Sequence, residues 1–67
     1  MRIDRVKFIM EMAKADMNVL QLAEKSGVSR GTVTAVRTGK SCSKETAEKL
    51  AAGLGIPVSK IEQEAVL

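Results

Sequence analysis

Two short segments in the middle of the chain each begin with a helix-capping residue and end with a glycine. This pattern constrains the fold more than any other feature of the sequence. Asn18 can cap a helix, and the glutamine three residues later completes a capping-box pattern. Gly27 can end that helix because glycine adopts the left-handed conformation without steric penalty. Ser29 can then cap a second helix over about residues 30–38, which Gly39 ends. The pattern predicts two short helices joined by a turn of about three to four residues.

The rest of the chain also has the pattern of helices. The spacing of apolar and capping residues predicts a first helix over about residues 4–15, with Asp4 as its cap. A fourth helix is predicted over about residues 44–54, with Ser43 as its cap. Proline suits the first turn of a short fifth helix over about residues 57–64. The fold class expected from these segments is all-α.

The first helix has more apolar residues than one narrow stripe can hold. Phe8, Met12 and Ala15 would form one acceptable inward face. Ile9, Met12 and Ala13 would form another. Such a helix either sits deep in the domain or shares a face with another subunit, and we place its apolar residues, methionines included, in the core. In the other helices the residues expected inside are Leu22, Ala23, Val28, Val33, Val36, Ala47, Leu50, Ala51, Leu54, Val58 and Ile61.

Composition narrows the function classes. With 67 residues the chain is long enough for one domain, which we assign to residues 1–67, and too short for two. It has no histidine and one cysteine, so we expect no histidine-based catalysis, zinc quartet or internal disulfide, and neither an enzyme nor a cofactor or small-molecule ligand. No apolar run approaches the ~18–20 residues of a membrane span. The beginning of the chain has no secretory signal pattern, so a cytoplasmic location is expected.

Positive charge is concentrated in one segment. Residues 28–44 contain four basic side chains and no acidic one, in a chain whose formal net charge is +3. A purely basic segment suits a polyanionic partner, although four cations in such a stretch are also ordinary surface charge.

Two short helices joined by a turn that contains glycine form the helix-turn-helix arrangement, here over about residues 18–38. The strings LAEKSGVSRGTV, SKETAEKLAAGLGI and IPVSKI, from Leu22 to Ile61, resemble the Cro/CI (XRE-type) family of bacterial and phage transcriptional regulators. The likeness covers about Met12 to Ile61. It implies a compact five-helix, lambda-repressor-like DNA-binding domain that usually binds a two-fold operator as a dimer.

The chain departs from the pattern of that family at three positions. Asp16 stands where family members often have a glycine before the second helix. An arginine late in the first helix is commonly paired with a glutamate near the end of the recognition helix, and here Met12 and Arg37 occupy those places. Because this ion pair is absent, a different contact must hold the recognition helix against the domain.

The helix over about residues 30–38 would be the recognition helix, and its periodicity predicts a reading face. At about 100° per residue, Val33 and Val36 define the buried side, and small residues project nearly opposite. Ala35 could meet the methyl group of thymine, and the guanidinium fork of Arg30 suits guanine O6 and N7. The residues expected to read bases are Arg30, Gly31, Thr34, Ala35 and Thr38.

Phosphate contacts need hydrogen-bond donors around this face. For Asn18 and Ser29, which are also predicted caps, a phosphate contact would come in addition to capping. Arg37 is either solvated or paired with an acid of the first helix such as Glu11, and we favour the structural role. Cys42 is expected to be inert. The residues expected to contact phosphates are Asn18, Ser29, Thr32, Lys40, Ser41 and Lys44.

These features predict a sequence-specific regulator that binds double-stranded DNA, a small Cro/CI-like repressor acting as a homodimer. The dimer contact is placed either on the C-terminal part, Ile61 and residues 65–67, or on surplus apolar surface of the first helix. One alternative is the DNA-binding antitoxin of a toxin–antitoxin pair. Another is a protein-interaction module that kept the fold and lost DNA binding, against which the basic segment argues.

Overall fold

The computed structural model describes residues 2–63. Within that range the chain forms the α-helices α1 (Arg5–Lys14), α2 (Val19–Ser26), α3 (Arg30–Arg37) and α4 (Lys44–Leu54), followed by a 3₁₀ helix at Val58–Lys60. Among the described residues the extended pairing is limited to an isolated antiparallel bridge between Ile3 and Glu62. The all-α class is therefore confirmed, with four α-helices in residues 2–63 instead of five.

Side-chain caps hold the beginning of each of these α-helices, as the sequence predicts. At Asn18 the full capping box is present: its side chain accepts from the backbone N–H of Gln21 at 2.8 Å. The Gln21 side chain accepts in turn from the backbone N–H of Asn18 at 2.9 Å. Each cap satisfies an amide that would otherwise lack a partner and stabilises its helix by about 1 kcal/mol. The four caps are Asp4, Asn18, Ser29 and Ser43.

The prediction of a fifth α-helix is wrong, because the structure has a short 3₁₀ helix there. Pro57 has an extended backbone and precedes three residues of 3₁₀ helix instead of forming the first turn of an α-helix. The helix stops because the next backbone groups pair with the start of the chain. The N–H of Asp4 donates to the carbonyl of Ile61 at 2.8 Å, and the N–H of Gln63 donates to that of Arg2 at 3.1 Å. The predicted end of the fifth helix, Glu64, lies outside the described residues.

Asp16 occupies a position whose backbone suits glycine. Its φ is 55°, in the left-handed region that non-glycine residues rarely adopt, though aspartate tolerates it better than most. The N–H of Asp16 donates to the carbonyl of Ala13, and the N–H of Met17 to that of Met12. This Schellman-type ending reverses the chain between α1 and α2 and explains why a glycine would fit at residue 16.

The core selects one of the two faces predicted for α1. Phe8 and Met12 are buried, whereas Ile9 remains 40% exposed. Met10 is 51% exposed, so the prediction that the methionines fill the core is wrong for this residue. The buried hydrophobic residues are Ile3, Phe8, Met12, Leu22, Val33, Val36, Ala47, Leu50, Ala51, Leu54 and Ile61.

Ile61 is fully buried in that core. Its predicted place in a dimer contact is therefore wrong, because a side chain with no exposed surface cannot meet a second subunit. The other residues of that predicted contact, Ala65, Val66 and Leu67, lie outside the described residues.

Helix α4 is the central support of the domain and packs against α2 and the 3₁₀ helix. A Cβ added to Gly53 would lie 2.8 Å from the Cβ of Ser26, a separation that real Cβ atoms essentially never show. Glycine at this position therefore lets α4 approach the end of α2. None of the helices described is long and apolar enough to cross a membrane.

Candidate nucleic-acid interface

The turn between α2 and α3 sets the angle between the two helices. Gly27 ends α2 in the left-handed conformation, with φ 75°. The N–H of Val28 donates to Ser26 Oγ at 3.2 Å, and Ser29 then caps α3. The turn is thus three residues, 27–29, between α2 and α3. This is the two-helix arrangement that the glycine and caps of the sequence predict.

Two valines anchor α3 in the domain. Val33 is 0% and Val36 1% exposed, and both belong to the same buried cluster as Met12. Helix α1 also packs against α3. The apolar contact with α1 therefore takes the place of the ion pair that Met12 and Arg37 cannot form.

The opposite side of α3 is open to solvent. Arg30, Gly31, Thr34 and Thr38 are exposed. Ala35 is only half-buried, so it lies on the flank of this face. A Cβ added to Gly31 would meet nothing within 4 Å, which leaves the first turn of α3 slim and accessible. We call these five residues, Arg30, Gly31, Thr34, Ala35 and Thr38, the outward face of α3.

Hydrogen bonds within α3 determine which hydroxyl protons are available. Ser29 Oγ donates to Thr32 Oγ1 at 2.9 Å, while it accepts the Thr32 N–H at 3.3 Å. The Ser29 proton is thereby used, and the Thr32 hydroxyl keeps its own proton for a phosphate oxygen. Thr38 Oγ1 donates to the Ala35 carbonyl at 2.8 Å, so its hydroxyl can act toward a base as an acceptor.

Backbone hydrogen bonds fix the start of the loop that follows α3. The N–H of Gly39 donates to Val36 at 3.0 Å, and the N–H of Lys40 donates to Ala35 at 3.0 Å, which completes a Schellman motif. The φ of Gly39 is 101°, a value that favours glycine. Lys40, Ser41 and Lys44 are all exposed next to this fixed turn.

The N-terminus of α2 also offers hydrogen-bond donors for a phosphate. The side-chain oxygen Oδ1 of Asn18 accepts a hydrogen bond in the capping box. The side-chain N–H groups of Asn18 are not part of that bond. Asn18 is exposed. A capping role for Asn18 and for Ser29 is therefore confirmed, and a phosphate contact by either stays a prediction.

The interface region contains no carboxylate of its own. Neither α3 nor the loop of residues 38–43 includes an acidic residue. Glu45, in the first turn of α4, forms an ion pair with Lys49 at 3.3 Å, so its charge is partly balanced. Residues 28–44 therefore carry only positively charged side chains, with the acidic Glu45 at their edge, and such a segment suits a polyanion.

The predicted partner of Arg37 is engaged elsewhere. Glu11 forms its ion pair with Lys14 at 3.3 Å. Arg37 is exposed and lines a groove of about 300 Å³ together with Asn18 and apolar residues of α1. The pair with Glu11 is thus not formed, and the exposure of Arg37 agrees with the other predicted possibility, a solvated side chain.

Two arginines that sequence analysis did not single out lie near the end of α3. Arg2 and Arg5 line a groove of about 230 Å³ with Gly39. They are more than 30 positions from Gly39 in the chain, and the backbone pairing that brings Arg2 there has no periodic signal in the sequence. The sequence signal for these two arginines was only their positive charge, in a segment that contains both basic and acidic residues.

Cys42 is half-buried and forms no disulfide. Burial raises the pKa of its thiol, which lowers the thiolate fraction at neutral pH and makes the group a poor nucleophile. Within residues 2–63 no group of three or more histidine, cysteine, aspartate or glutamate side chains could hold a metal ion.

Comparison with known proteins identifies the family of the chain. A family model described as helix-turn-helix, the XRE-type and Cro/CI-like kind, matches residues 7–61, which is most of the chain. No curated protein and no solved structure matches.

Proposed function

The chain belongs to the XRE-type, Cro/CI-like helix-turn-helix family of DNA-binding regulators, and from this membership we propose that it is a sequence-specific repressor that inserts α3 into the major groove. The whole chain, residues 1–67, acts as one DNA-binding domain. The observation that carries the proposal is the division of α3 into a side sealed in the core by Val33 and Val36 and an outward face that is open and free of carboxylates.

The outward face of α3 has the shape and chemistry for base reading. Gly31 has open space around it, so the backbone of the first turn can approach base edges closely. Arg30 begins the helix, at the end that normally enters the groove, and its fork suits the O6 and N7 acceptors of guanine. Thr34 and Thr38 supply hydroxyl oxygens, and Ala35 can pack on a thymine methyl from the flank.

Hydrogen-bond donors around the outward face of α3 would fix the position of the protein along the duplex. The Thr32 hydroxyl retains a proton because Ser29 donates to it. Lys40, Ser41 and Lys44 extend from a turn whose backbone is held by two hydrogen bonds. Asn18 and Ser29 stand at helix N-termini, where backbone N–H groups and the helix dipole favour phosphate.

A homodimer completes the proposal because one short recognition helix reads few base pairs. Of the two predicted dimer contacts, the face of α1 is the one supported by described residues. Val6, Ile9 and Met10 are 58%, 40% and 51% exposed and, with Ala13, follow the i, i+3, i+4, i+7 spacing of one helix face. We call these four residues the outward face of α1.

The same apolar face favours one alternative, an antitoxin whose helix α1 binds a toxin. An exposed apolar face fits a protein partner of either kind, a second copy or a different chain. Sedimentation of the isolated protein separates the two. Self-association that is lost on mutation of the outward face of α1 supports the repressor dimer, whereas a stable monomer that copurifies with the product of a neighbouring gene supports the antitoxin.

The proposed function is tested by selection of bound duplexes from a random DNA pool, followed by retardation assays at several salt concentrations. Binding through roughly six to ten phosphates predicts a log–log salt slope of about −5 to −9, and a two-fold protein predicts a palindromic consensus. Absence of retardation for every duplex would reject DNA binding and leave a protein-interaction module.

A further inference from the structure

Backbone hydrogen bonds join the start of the chain to the segment that follows the 3₁₀ helix. Gln63 donates to the carbonyl of Arg2 at 3.1 Å, and Asp4 donates to the carbonyl of Ile61 at 2.8 Å. Ile61 is fully buried, so these bonds fasten the first residues to the core of the domain. The backbone of Arg2 is therefore tied to the domain by a hydrogen bond.

Arg5, the first residue of α1, reaches the turn that follows α3. Its Cδ lies 3.8 Å from the position that a Cβ on Gly39 would occupy. At this distance even a Cβ would make only ordinary van der Waals contact, so the aliphatic stem of Arg5 lies beside the turn. Arg2, Arg5 and Gly39 line one groove, and Lys40 is the next residue along the chain.

The positive charge of this cluster is only partly balanced within the described part of the chain. Arg2 and Arg5 are both exposed, and no hydrogen bond or ion pair of either side chain is formed with residues 2–63. The acid in the groove is Asp4, whose carboxylate accepts the backbone N–H of Lys7 at 3.0 Å as the cap of α1. Asp4 keeps its negative charge, but Arg2, Arg5 and Lys40 outnumber it, and an anionic ligand offsets the excess of positive charge.

We propose that Arg2 and Arg5, together with Lys40, form a phosphate-binding site for the DNA backbone where the C-terminal end of α3 leaves the groove. The inference rests on the proposed function and extends the interface beyond the basic segment of residues 28–44. A guanidinium offers two parallel N–H groups to phosphate oxygens, which makes arginine the more selective partner of the two basic residue types. The site fixes position on the duplex and reads no base.

The test is a charge-matched comparison of two double variants. Arg2→Gln/Arg5→Gln removes two positive charges from the cluster. Lys25→Gln/Lys60→Gln removes two from exposed positions on α2 and the 3₁₀ helix that have no part in the interface. Affinity for a duplex selected from a random pool is measured by retardation between 50 and 200 mM salt for the wild type and both variants, as suits a salt-dependent interaction.

The log–log salt slope is expected to flatten by about 1.8 in the arginine variant, because each lost phosphate contact contributes about 0.9. Affinity at 0.1 M salt should fall about eight-fold per contact, with the selected consensus unchanged. The lysine variant should keep the wild-type slope. Arg5→Lys should keep most of the slope, since it retains the charge. Thermal melting by circular dichroism should give similar Tm values for all variants, because the mutated side chains are exposed and glutamine keeps part of the aliphatic stem of arginine.

Equal slopes for the two double variants would overturn this inference while leaving the proposed function intact. Wild-type protein that retards no duplex would overturn both. Ethylation interference gives an independent readout: the arginine variant should lose sensitivity at phosphates on the edge of the footprint and keep it elsewhere. A footprint with an unchanged edge would also overturn the inference.

Discussion

Helices α1 and α3 are built alike on their inner sides and differ on their outer sides. Each buries a pair of apolar residues one turn apart, Phe8 and Met12 in α1 and Val33 and Val36 in α3. The outward face of α1 is apolar, whereas that of α3 is small, polar and flanked by cations. Since burial is matched, the difference between the helices lies in what each can meet beyond its own domain.

On the proposed function, this contrast assigns two kinds of recognition to two helices of one small fold. A nucleic acid needs positive charge, hydrogen-bonding groups and close approach to the base edges, and α3 provides these. A protein surface needs desolvated apolar area, and α1 provides it. On the proposed function, the exposed residues of the two helices are therefore the ones that distinguish their roles.

The largest effect is expected on the inner side of α1. Phe8→Ala should lower the free energy of unfolding by about 3–5 kcal/mol, because it leaves a cavity in a fully buried site. Ile9→Ala, one residue away on the outward face, should change it by about 1 kcal/mol or less. Urea denaturation measures both, and Phe8→Leu provides a graded variant that still folds. Similar losses for residues 8 and 9 would show that the two sides of α1 are not distinct.

The outward face of α1 is expected to control self-association. Met10→Glu should weaken the dimer at least ~ten-fold, since each subunit forfeits about 1.5–3 kcal/mol of apolar burial and gains a desolvated charge. Leu20→Glu is the matched control, because Leu20 is 50% exposed but lies on α2. Sedimentation equilibrium without DNA measures both variants. An unchanged association constant for Met10→Glu would remove the dimer contact from α1.

The outward face of α3 is expected to control sequence preference. Arg30→Ala should cost about 1–3 kcal/mol of specific binding and relax the preference at one base position, because a bidentate contact with guanine is lost. Its stability should stay near that of the wild type, since Arg30 is exposed. Binding-site selection with the variant measures the preference. A consensus identical to that of the wild type would reject the role of Arg30.

The smallest of these effects on DNA binding is expected at Lys40, beside the outward face of α3. Lys40→Ala should weaken binding to all duplexes alike and flatten the salt slope by about one unit, because one phosphate contact is lost. Retardation of selected and unrelated duplexes across salt concentrations measures it. Should Lys40→Ala and Arg30→Ala behave in the same way, the division between base-reading and phosphate-binding residues would not hold.

Local features of the fold were predictable because their causes are local. The cap residues Asn18 and Ser29, with Gly27 between them, fix the helix ends through hydrogen bonds and backbone freedom within a few residues. The buried side of α3 followed from its two valines in the same way. The family itself was identified from these caps, glycines and spacings, and the family match confirms it.

Features that depend on distant parts of the chain were not predictable. The choice of Phe8 over Ile9 as the inward residue depends on how α1 packs against α3. The short 3₁₀ helix ends where Gln63 pairs with Arg2, and no periodicity in the sequence reports on that pairing. For the same reason the arginines near Gly39 were missed. Individual base and phosphate contacts also depend on the duplex, so they stay predictions.

Methylation interference on a selected duplex tests the insertion of α3 most directly, because methylation of guanine N7 blocks the major groove and methylation of adenine N3 blocks the minor groove. Interference is predicted at a guanine N7 in each half-site for the wild-type protein, and its loss at that guanine is predicted for Arg30→Ala. Binding that is insensitive to every N7 methyl group and sensitive only to adenine N3 would contradict the account.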